Sequence, residues 1–496
     1  MKLKSILKGI DSRVLSGTTA IDISGISYDS RTVREGYLFV ALKGLQHDGH
    51  DFIEDAVHKG ASAVVCENDE SGSVFAKKHQ SGTAVLVKNS RKSLAHIAHN
   101  FYGHPSSSLV VIGITGTNGK TTTSYLLKSI LECWGKKVGL IGTIQHMIGN
   151  ERYETSFTTP EALEFQQMLY TMLSSGCTHV VSEVSSHALA LYRIDGTVFH
   201  SGIFTNLTSE HLDFHDTMDE YFIAKERFFT ELLSLSATAV INYDDIWGRR
   251  LLDSYSGKKI TYGLESGADM VAIDIQSTFD GLTFTLVAEG QNLTVNSPLM
   301  GLSNVYNILS AAGAARSLKV PWDIIMRGIK NTVLVTGRFE KVNAGQGFLA
   351  VVDYAHTADA LERLIYSARG LTNGKIITVF GCGGDRDRTK RPQMGAIATK
   401  LSDAVIITSD NPRTESPQRI IHEIEAGAVK NNYLIESNRE AAIQRAVLMA
   451  ADGDIVLVAG KGHEAYQEIK GEKCTFNDRE VLEKQIRLIS RGKRSI

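Results

Sequence analysis

Leu109-Val-Val-Ile-Gly-Ile-Thr-Gly-Thr-Asn-Gly-Lys-Thr121 decides the fold. Its apolar start predicts a buried strand over 109–114. A Gly/Thr loop follows, then a helix over 121–134 stopped by Gly135, then a strand over 138–141, which together make a βαβ unit. A glycine-rich loop between a strand and a helix start is the context a phosphate loop requires, because its N–H groups can cradle phosphate oxygens at the positive end of the helix. Lys120 would neutralise β- and γ-phosphates and Thr121 would reach Mg2+. The strict spacing GxxxxGK[ST] calls for glycine at 114, where the chain has Ile114, although Gly113, Gly116 and Gly119 flank it.

Outward from this unit, buried strands are expected at 178–184, 202–207 and 239–242, with helices between them, in a mostly parallel sheet. Period-two alternation from 270 to 299, with turns at Asp280-Gly281 and Glu289-Gly290, predicts an antiparallel hairpin excursion. Helices over 303–318 and 322–331 lead to Val335-Thr-Gly-Arg338. Beyond it, strands at 348–353, 375–380, 404–409 and 455–459 alternate with helices at 358–370, 392–401 and 417–430 and a last C-terminal helix, as in a doubly wound (Rossmann-like) domain. Before the loop, strand-like runs and a helix over 92–102 end in the polar tract His104-Pro-Ser-Ser-Ser108. The expectation is an α/β protein of three domains, 1–107, 108–335 and 336–496, which agrees with about 150 residues per domain over 496 residues.

Composition excludes several classes. With 44 glycines but only 7 prolines, the chain is neither collagen-like nor disordered. A net charge of −2 leaves no footprint for nonspecific nucleic-acid or membrane binding. Five widely spaced cysteines predict no disulfide framework, and no apolar run long enough for a signal or membrane span is present, so a cytoplasmic protein is expected. No heptads or exposed apolar stripe stand out, and a monomer is expected.

The loop Gly116-Thr-Asn-Gly-Lys-Thr-Thr122 resembles the ATP loop of the Mur ligases, cytoplasmic enzymes that extend the peptide of peptidoglycan precursors; folylpolyglutamate synthases share a similar loop. Further tracts extend the resemblance over essentially the whole chain. They are Ser182-Glu-Val-Ser-Ser-His-Ala-Leu189, Thr205-Asn-Leu-Thr-Ser-Glu-His-Leu-Asp213, Tyr221-Phe-Ile-Ala-Lys225, Gly337-Arg-Phe-Glu340, Asp353-Tyr-Ala-His-Thr357, Gly383-Gly-Asp-Arg386 and Gly460-Lys-Gly-His-Glu464. Within the family they are similar to the members that add the third peptide residue.

The resemblance implies ATP binding by Gly116, Thr117, Asn118, Gly119, Lys120, Thr121 and Thr122, with Asn304 at the adenine and Arg338 and Asp353 added on domain closure. Glu183, at the carboxyl end of a strand beside the loop, can hold Mg2+. Thr121, His211 and a carbamylated Lys225 complete the implied metal set, and Lys120, Glu183, His211 and Lys225 are the implied catalytic residues. His211 and His215 stand four apart, a spacing compatible with zinc, but no glutamate follows His211 and no cysteine is near, so oxygen-rich Mg2+ chemistry fits better.

UDP-muramoyl-dipeptide is expected at Ser30, Thr158, Thr159, Ser185 and Arg193. The tract Ser409-Asp-Asn-Pro-Arg413 follows an apolar strand and emerges where α/β folds bind ligands. Its guanidinium can grip a carboxylate through two parallel hydrogen bonds. In the family this tract accompanies meso-diaminopimelate, so Arg386, Asp410, Asn411, Pro412, Arg413, Gly460 and Glu464 are the implied amino-acid site. The implied reaction is ATP-dependent amide ligation through an acyl phosphate, carried by positioning and electrostatics.

Five positions depart from the family pattern: Leu191 for glutamine, Glu210 and Asn438 for aspartate, and Thr336 and Ala358 for proline. They keep open a specialised copy that adds another amino acid, such as L-lysine, or uses a related acyl substrate.

Overall fold

The computed structural model describes residues 1–44, 47–68, 75, 82–155, 157–210, 214–333 and 335–493. Among these, three large β-sheets lie in succession along the chain, with a separate two-stranded hairpin near its end. The first has five strands in the order Ser12–Ser16, Thr83–Val87, Ala61–Cys66, Tyr37–Val40 and Gly25–Ser27, with only the outermost Ser12–Ser16 antiparallel to its neighbour.

The second sheet holds eleven strands, and Val110–Thr115 lies in its parallel centre between Phe199–Phe204 and His179–Glu183. One side continues through Leu233–Asn242 and Lys258–Gly263 into an antiparallel meander of Met270–Thr278, Gly281–Ala288 and Gln291–Ser297. The expected excursion is therefore three strands. Lys258–Gly263, which the sequence pattern did not single out, joins it to the parallel centre. On the other side Val138–Ile141 leads to a short hairpin, His146–Ile148 with Glu151–Tyr153.

The helix Lys120–Cys133 packs over this sheet and beneath the helices Leu302–Ser317 and Trp322–Lys330. The approach at Gly328 is close: a Cβ there would lie 2.4 Å from the Ile130 Cα. Burial of Leu126, Leu127, Ile130 and Leu131 in that layer fixes the helix, and with it the loop that precedes it.

The third sheet orders Glu340–Val342, Leu349–Asp353, Ile455–Ala459, Ile376–Phe380, Ala404–Ile407 and Tyr433–Ile435, parallel except for its first strand. Two elements are shorter than expected. The strand from 404 leaves the ladder after Ile407, and the helix from Pro417 ends at Glu425. Gly427 then passes so close to Pro392 that a Cβ would sit 1.9 Å from its carbonyl oxygen. Proline is absent at 358, yet the helix Ala358–Arg369 starts there because the Thr357 hydroxyl caps it, accepting from the Ala360 N–H at 3.2 Å. All five cysteines are free, and no helix of the described residues is long and apolar enough to cross a membrane.

Candidate functional site

The ends of three neighbouring strands shape the glycine-rich loop. Gly116 and Gly119 have φ of 142° and 88°, the left-handed region that favours glycine. A Cβ at Gly116 would lie 1.9 Å from Thr205 Oγ1, and one at Gly119 would lie 2.3 Å from Asn307 Oδ1. The strand Phe199–Phe204 delivers Thr205 and Asn206 as pins: Thr205 Oγ1 donates to the Asn118 carbonyl at 2.7 Å. The Asn118 N–H donates to Asn206 Oδ1 at 2.9 Å, and the Thr117 N–H donates to the Asn206 carbonyl at 2.8 Å. Register on the other side sets Glu183 beside Ile114.

Glu183 is fully buried. Its carboxylate accepts from Thr121 Oγ1 at 3.0 Å, from the Thr143 N–H at 3.0 Å and from Thr143 Oγ1 at 2.8 Å. Thr143 carries no motif of its own, and sequence reasoning missed it. Lys120 Nζ turns back onto the loop, donating to the carbonyls of Gly116 at 2.8 Å and Thr117 at 2.9 Å. Lys225, on the helix Met218–Arg227, donates from behind to the same Gly116 carbonyl at 3.0 Å. Burial pushes the Lys225 amine well below its ordinary range, and the nearby Lys120 charge adds to the effect. Lys120 is lowered too, first by burial, with Glu210 and Glu183 opposing.

In front of the loop a cavity of about 540 Å3 runs between the second and third sheets. Thr117–Thr122, Glu183 and Asn304 line it from the centre, and Arg338 and Asp353 from the third sheet's side. Asn304 donates to the Met300 carbonyl at 2.7 Å and accepts from Asn307 Nδ2 at 2.9 Å. The Asp353 carboxylate accepts from the N–H groups of Phe339 at 2.6 Å and Ala355 at 2.8 Å, while burial raises its pKa. Asp359 ties the two sides together, accepting from Asn118 Nδ2 at 3.0 Å and Thr208 Oγ1 at 2.9 Å.

Thr158, Thr159, Ser185 and Arg193 form another wall of the same cavity. Arg193 pairs with Glu161 at 2.6 Å and donates to the Thr159 carbonyl at 3.1 Å; Thr159 Oγ1 donates to the Glu183 carbonyl at 2.8 Å. Among the described residues, the buried Nε atoms of Arg193 and Arg338 have no hydrogen-bond partner. Ser30 lies outside this cavity, after the first-sheet strand Gly25–Ser27, in a 3-10 turn capped by Asp29, whose carboxylate accepts from the Arg31 N–H at 2.9 Å. The adjoining Tyr28 hydroxyl donates to Glu164 at 3.1 Å, joining that turn to the helix Ala162–Ser174.

The expected metal set is gathered only in part. Thr121 and Glu183 meet in the cavity, whereas Lys225 sits behind the loop, and His211 lies outside the described residues. Among the described residues no group of three His, Cys, Asp or Glu side chains converges as a metal site.

The expected amino-acid residues cluster at the carboxyl edge of the third sheet, outside the cavity lining. Asn411 Nδ2 donates to Glu464 Oε2 at 2.8 Å. Gly460, with φ of 116°, lets the chain pass Asp410; a Cβ there would lie 2.7 Å from Asp410 Oδ2. Pro412 is buried, and a Cβ on Gly384 would lie 1.9 Å from its carbonyl oxygen. Arg413 Nη1 donates to the Gly384 carbonyl at 2.7 Å, and its Nε lies 3.3 Å from Glu468. Arg386 is exposed and donates to the Asp385 carbonyl at 3.2 Å.

Beneath these residues lie ion pairs that sequence reasoning missed. Arg439 and Asp478, both fully buried, pair at 2.7 Å, and Arg439 also donates to the carbonyl of Ala459 at 2.9 Å. Buried Arg391 grips Glu415 at 2.8 Å and Glu423 at 2.6 Å and donates to the Gly383 carbonyl at 3.1 Å.

Three family models match in succession: "Mur ligase family, catalytic domain" over residues 22–102, "Mur ligase middle domain" over 114–315 and "Mur ligase, glutamate ligase domain" over 337–462. The UDP-N-acetylmuramoyl-L-alanyl-D-glutamate--2,6-diaminopimelate ligase of Clostridium tetani is 44% identical over 488 residues, 98% of this chain and 99% of that one. The chain belongs to the Mur ligase family. The enzyme of the same name from Clostridioides difficile is likewise 44% identical to this Mur ligase over 488 residues, covering 97% of this chain and 98% of that one. A solved structure titled as such a ligase superposes on it with a TM-score of 0.72 at 31% identity, covering 99% of both chains.

Proposed function

We propose that this Mur ligase joins meso-diaminopimelate to UDP-N-acetylmuramoyl-L-alanyl-D-glutamate at the expense of ATP, in the cytoplasmic assembly of peptidoglycan precursors. The observation that carries this reading is the Asp410-Asn411-Pro412-Arg413 tract at the sheet's carboxyl edge, its Asn411 bonded to Glu464 at 2.8 Å. That edge offers a guanidinium for a carboxylate and a carboxylate for an ammonium, the two charges at the far end of diaminopimelate. Full-length relatives that carry the name of this reaction support it.

ATP fits the loop, because Gly116 and Gly119 adopt a left-handed backbone that packs the loop onto Thr205 and Asn307 at the N-terminus of the helix Lys120–Cys133, and the unpartnered Arg338 Nε belongs to the cavity wall opposite. Asn304 is assigned to the adenine, the loop 116–122 to the phosphates through the N–H groups that Asn206 does not hold, and Arg338 and Asp353 to closure over them. Mg2+ suits the oxygen donors of Thr121 and Glu183, and when bound it would neutralise phosphate charge. A neutral amine is the form that adds carbon dioxide, so the depressed Lys225 fits the carbamylated role, with His211 as a further ligand.

The dipeptide carboxylate, held by Thr158, Thr159, Ser185 and Arg193 with the uridine near Ser30, attacks the γ-phosphorus. The bond to the β-γ bridging oxygen breaks, and ADP leaves. Lys120 stabilises charge on the transferred group. The amine of diaminopimelate, oriented by Arg386, Arg413, Gly460 and Glu464, then attacks the acyl carbon, expels phosphate and loses a proton. Phosphate release that requires all three substrates together with Mg2+ tests the scheme, and release without the amino acid would contradict it.

A further inference from the structure

Lys461 has no part in the scheme above, yet its ammonium lies inside the amino-acid edge. It is fully buried, a rare state for lysine unless its charge is balanced. The turn is built to aim it inward. Gly460 and Gly462 flank it with φ of 116° and 53°, and Cβ atoms there would lie 2.7 Å from Asp410 Oδ2 and from the Tyr354 Cβ.

Inside, Lys461 Nζ donates to Asn411 Oδ1 at 2.8 Å and to Glu464 Oε2 at 3.0 Å. Asn411 closes a triangle by donating to the same Glu464 oxygen, and the Glu468 N–H fixes its amide by donating to Asn411 Oδ1 at 3.0 Å. The Tyr466 ring lies 5.6 Å from the ammonium. Two donors therefore occupy Glu464 Oε2, while Oε1 has no hydrogen-bond partner among the described residues.

We propose that Lys461 is a positioning residue for the amino-acid substrate. It fixes the rotamer of Glu464 so that Oε1 faces the incoming ammonium, and it ties the Asp410–Arg413 tract to the turn at 460–464. This rests on the assignment of that edge to diaminopimelate. Lys461 touches no reacting atom, so its loss acts on amino-acid capture and leaves ATP and the acyl substrate alone.

The experiment is steady-state phosphate release by full-length wild type and Lys461→Met, varying each substrate in turn. Wild type without diaminopimelate-dependent turnover would overturn the assignment of the edge itself. With that turnover present, Lys461→Met is expected to raise the KM for diaminopimelate about 10–100-fold, the worth of hydrogen bonds to a charged group. The KM for ATP and for the UDP-dipeptide, and kcat at saturation, stay near wild type. An unchanged KM for diaminopimelate, or an equal rise in all three KM values, would overturn the proposal. Should Lys461→Met fail to fold, Lys461→Arg keeps the charge but displaces it. A smaller rise confined to diaminopimelate is then expected, and no change or a uniform rise overturns the proposal.

Discussion

Glu183→Gln separates structure from chemistry at the centre of the cavity. The wild-type carboxylate accepts three hydrogen bonds, one on Oε1 from the Thr143 N–H and two on Oε2 from the hydroxyls of Thr121 and Thr143. A glutamine can keep its amide oxygen on the Thr143 N–H and donate from Nε2 to a hydroxyl that rotates to accept. No backbone donor is orphaned, so the stability cost is confined to exchanging charge-assisted bonds for neutral ones, about 1–2 kcal/mol, offset in part because no charge is then buried. For a domain of about 200 residues each kcal/mol is a Tm shift of about 2–4 °C. Activity should respond far more strongly, because the oxygen pair assigned to Mg2+ loses its charge, and kcat should fall about 100–1,000-fold. Calorimetry beside phosphate-release kinetics reads both quantities. A variant that keeps a third of wild-type turnover would refute the metal assignment. One that loses activity only in proportion to unfolding would make Glu183 a structural carboxylate.

Gly116→Ala places a Cβ 1.9 Å from Thr205 Oγ1 at a φ of 142°, and is expected to cost about 1–3 kcal/mol while raising the KM for ATP. Unchanged thermal stability and ATP dependence would contradict the loop geometry. Glu415 is held down to about 2 by Arg391, and Glu423 to about 2 by Arg388 and then Arg391. Both carboxyls thus have depressed folded values, so their contribution is complete above pH of about 4.5 and is lost as pH falls toward about 2. Denaturant titrations across that window should give a flatter acid dependence for Arg391→Met than for wild type, and parallel slopes would dismiss the cluster as a stabilising device.

The fold was legible wherever a buried strand is a continuous apolar run, as at Val110–Thr115, Val138–Ile141 and Ile455–Ala459. Polar, partly exposed elements were not. Lys258–Gly263 and the hairpin of Tyr466–Ile469 with Glu472–Thr475 are polar and partly exposed, so neither shows the continuous apolar run that marks a buried strand, although the first lies inside its sheet and the second pairs across a two-residue turn. The candidate site shows the same division. The loop, Glu183 and Asp410–Arg413 stand at strand ends and announce themselves by motif. Thr143, which holds Glu183, is a single polar residue 40 positions from its partner, so no spacing rule finds it; Asn206 stands in the Thr205–Asp213 tract, but 88 positions from Asn118 its part in holding the loop is not written locally. Arg439 and Asp478 meet across 39 residues, and each alone reads as an ordinary helix charge. Of the departures from the family pattern, Glu210 lines the cavity, with its carboxylate 3.7 Å from His356 Nε2. Leu191 caps the C-terminus of the helix Ser186–Ala190, and nothing in the structure gives its side chain a role.

The central claim is the identity of the added amino acid. The direct measurement is the mass of the product formed from UDP-N-acetylmuramoyl-L-alanyl-D-glutamate, ATP and Mg2+ when meso-diaminopimelate and L-lysine compete at equal concentration. The account predicts the diaminopimelate tripeptide in large excess, because Arg413 and Arg386 offer guanidinium groups to a second carboxylate that lysine lacks. Equal incorporation, or the lysine product alone, would contradict it.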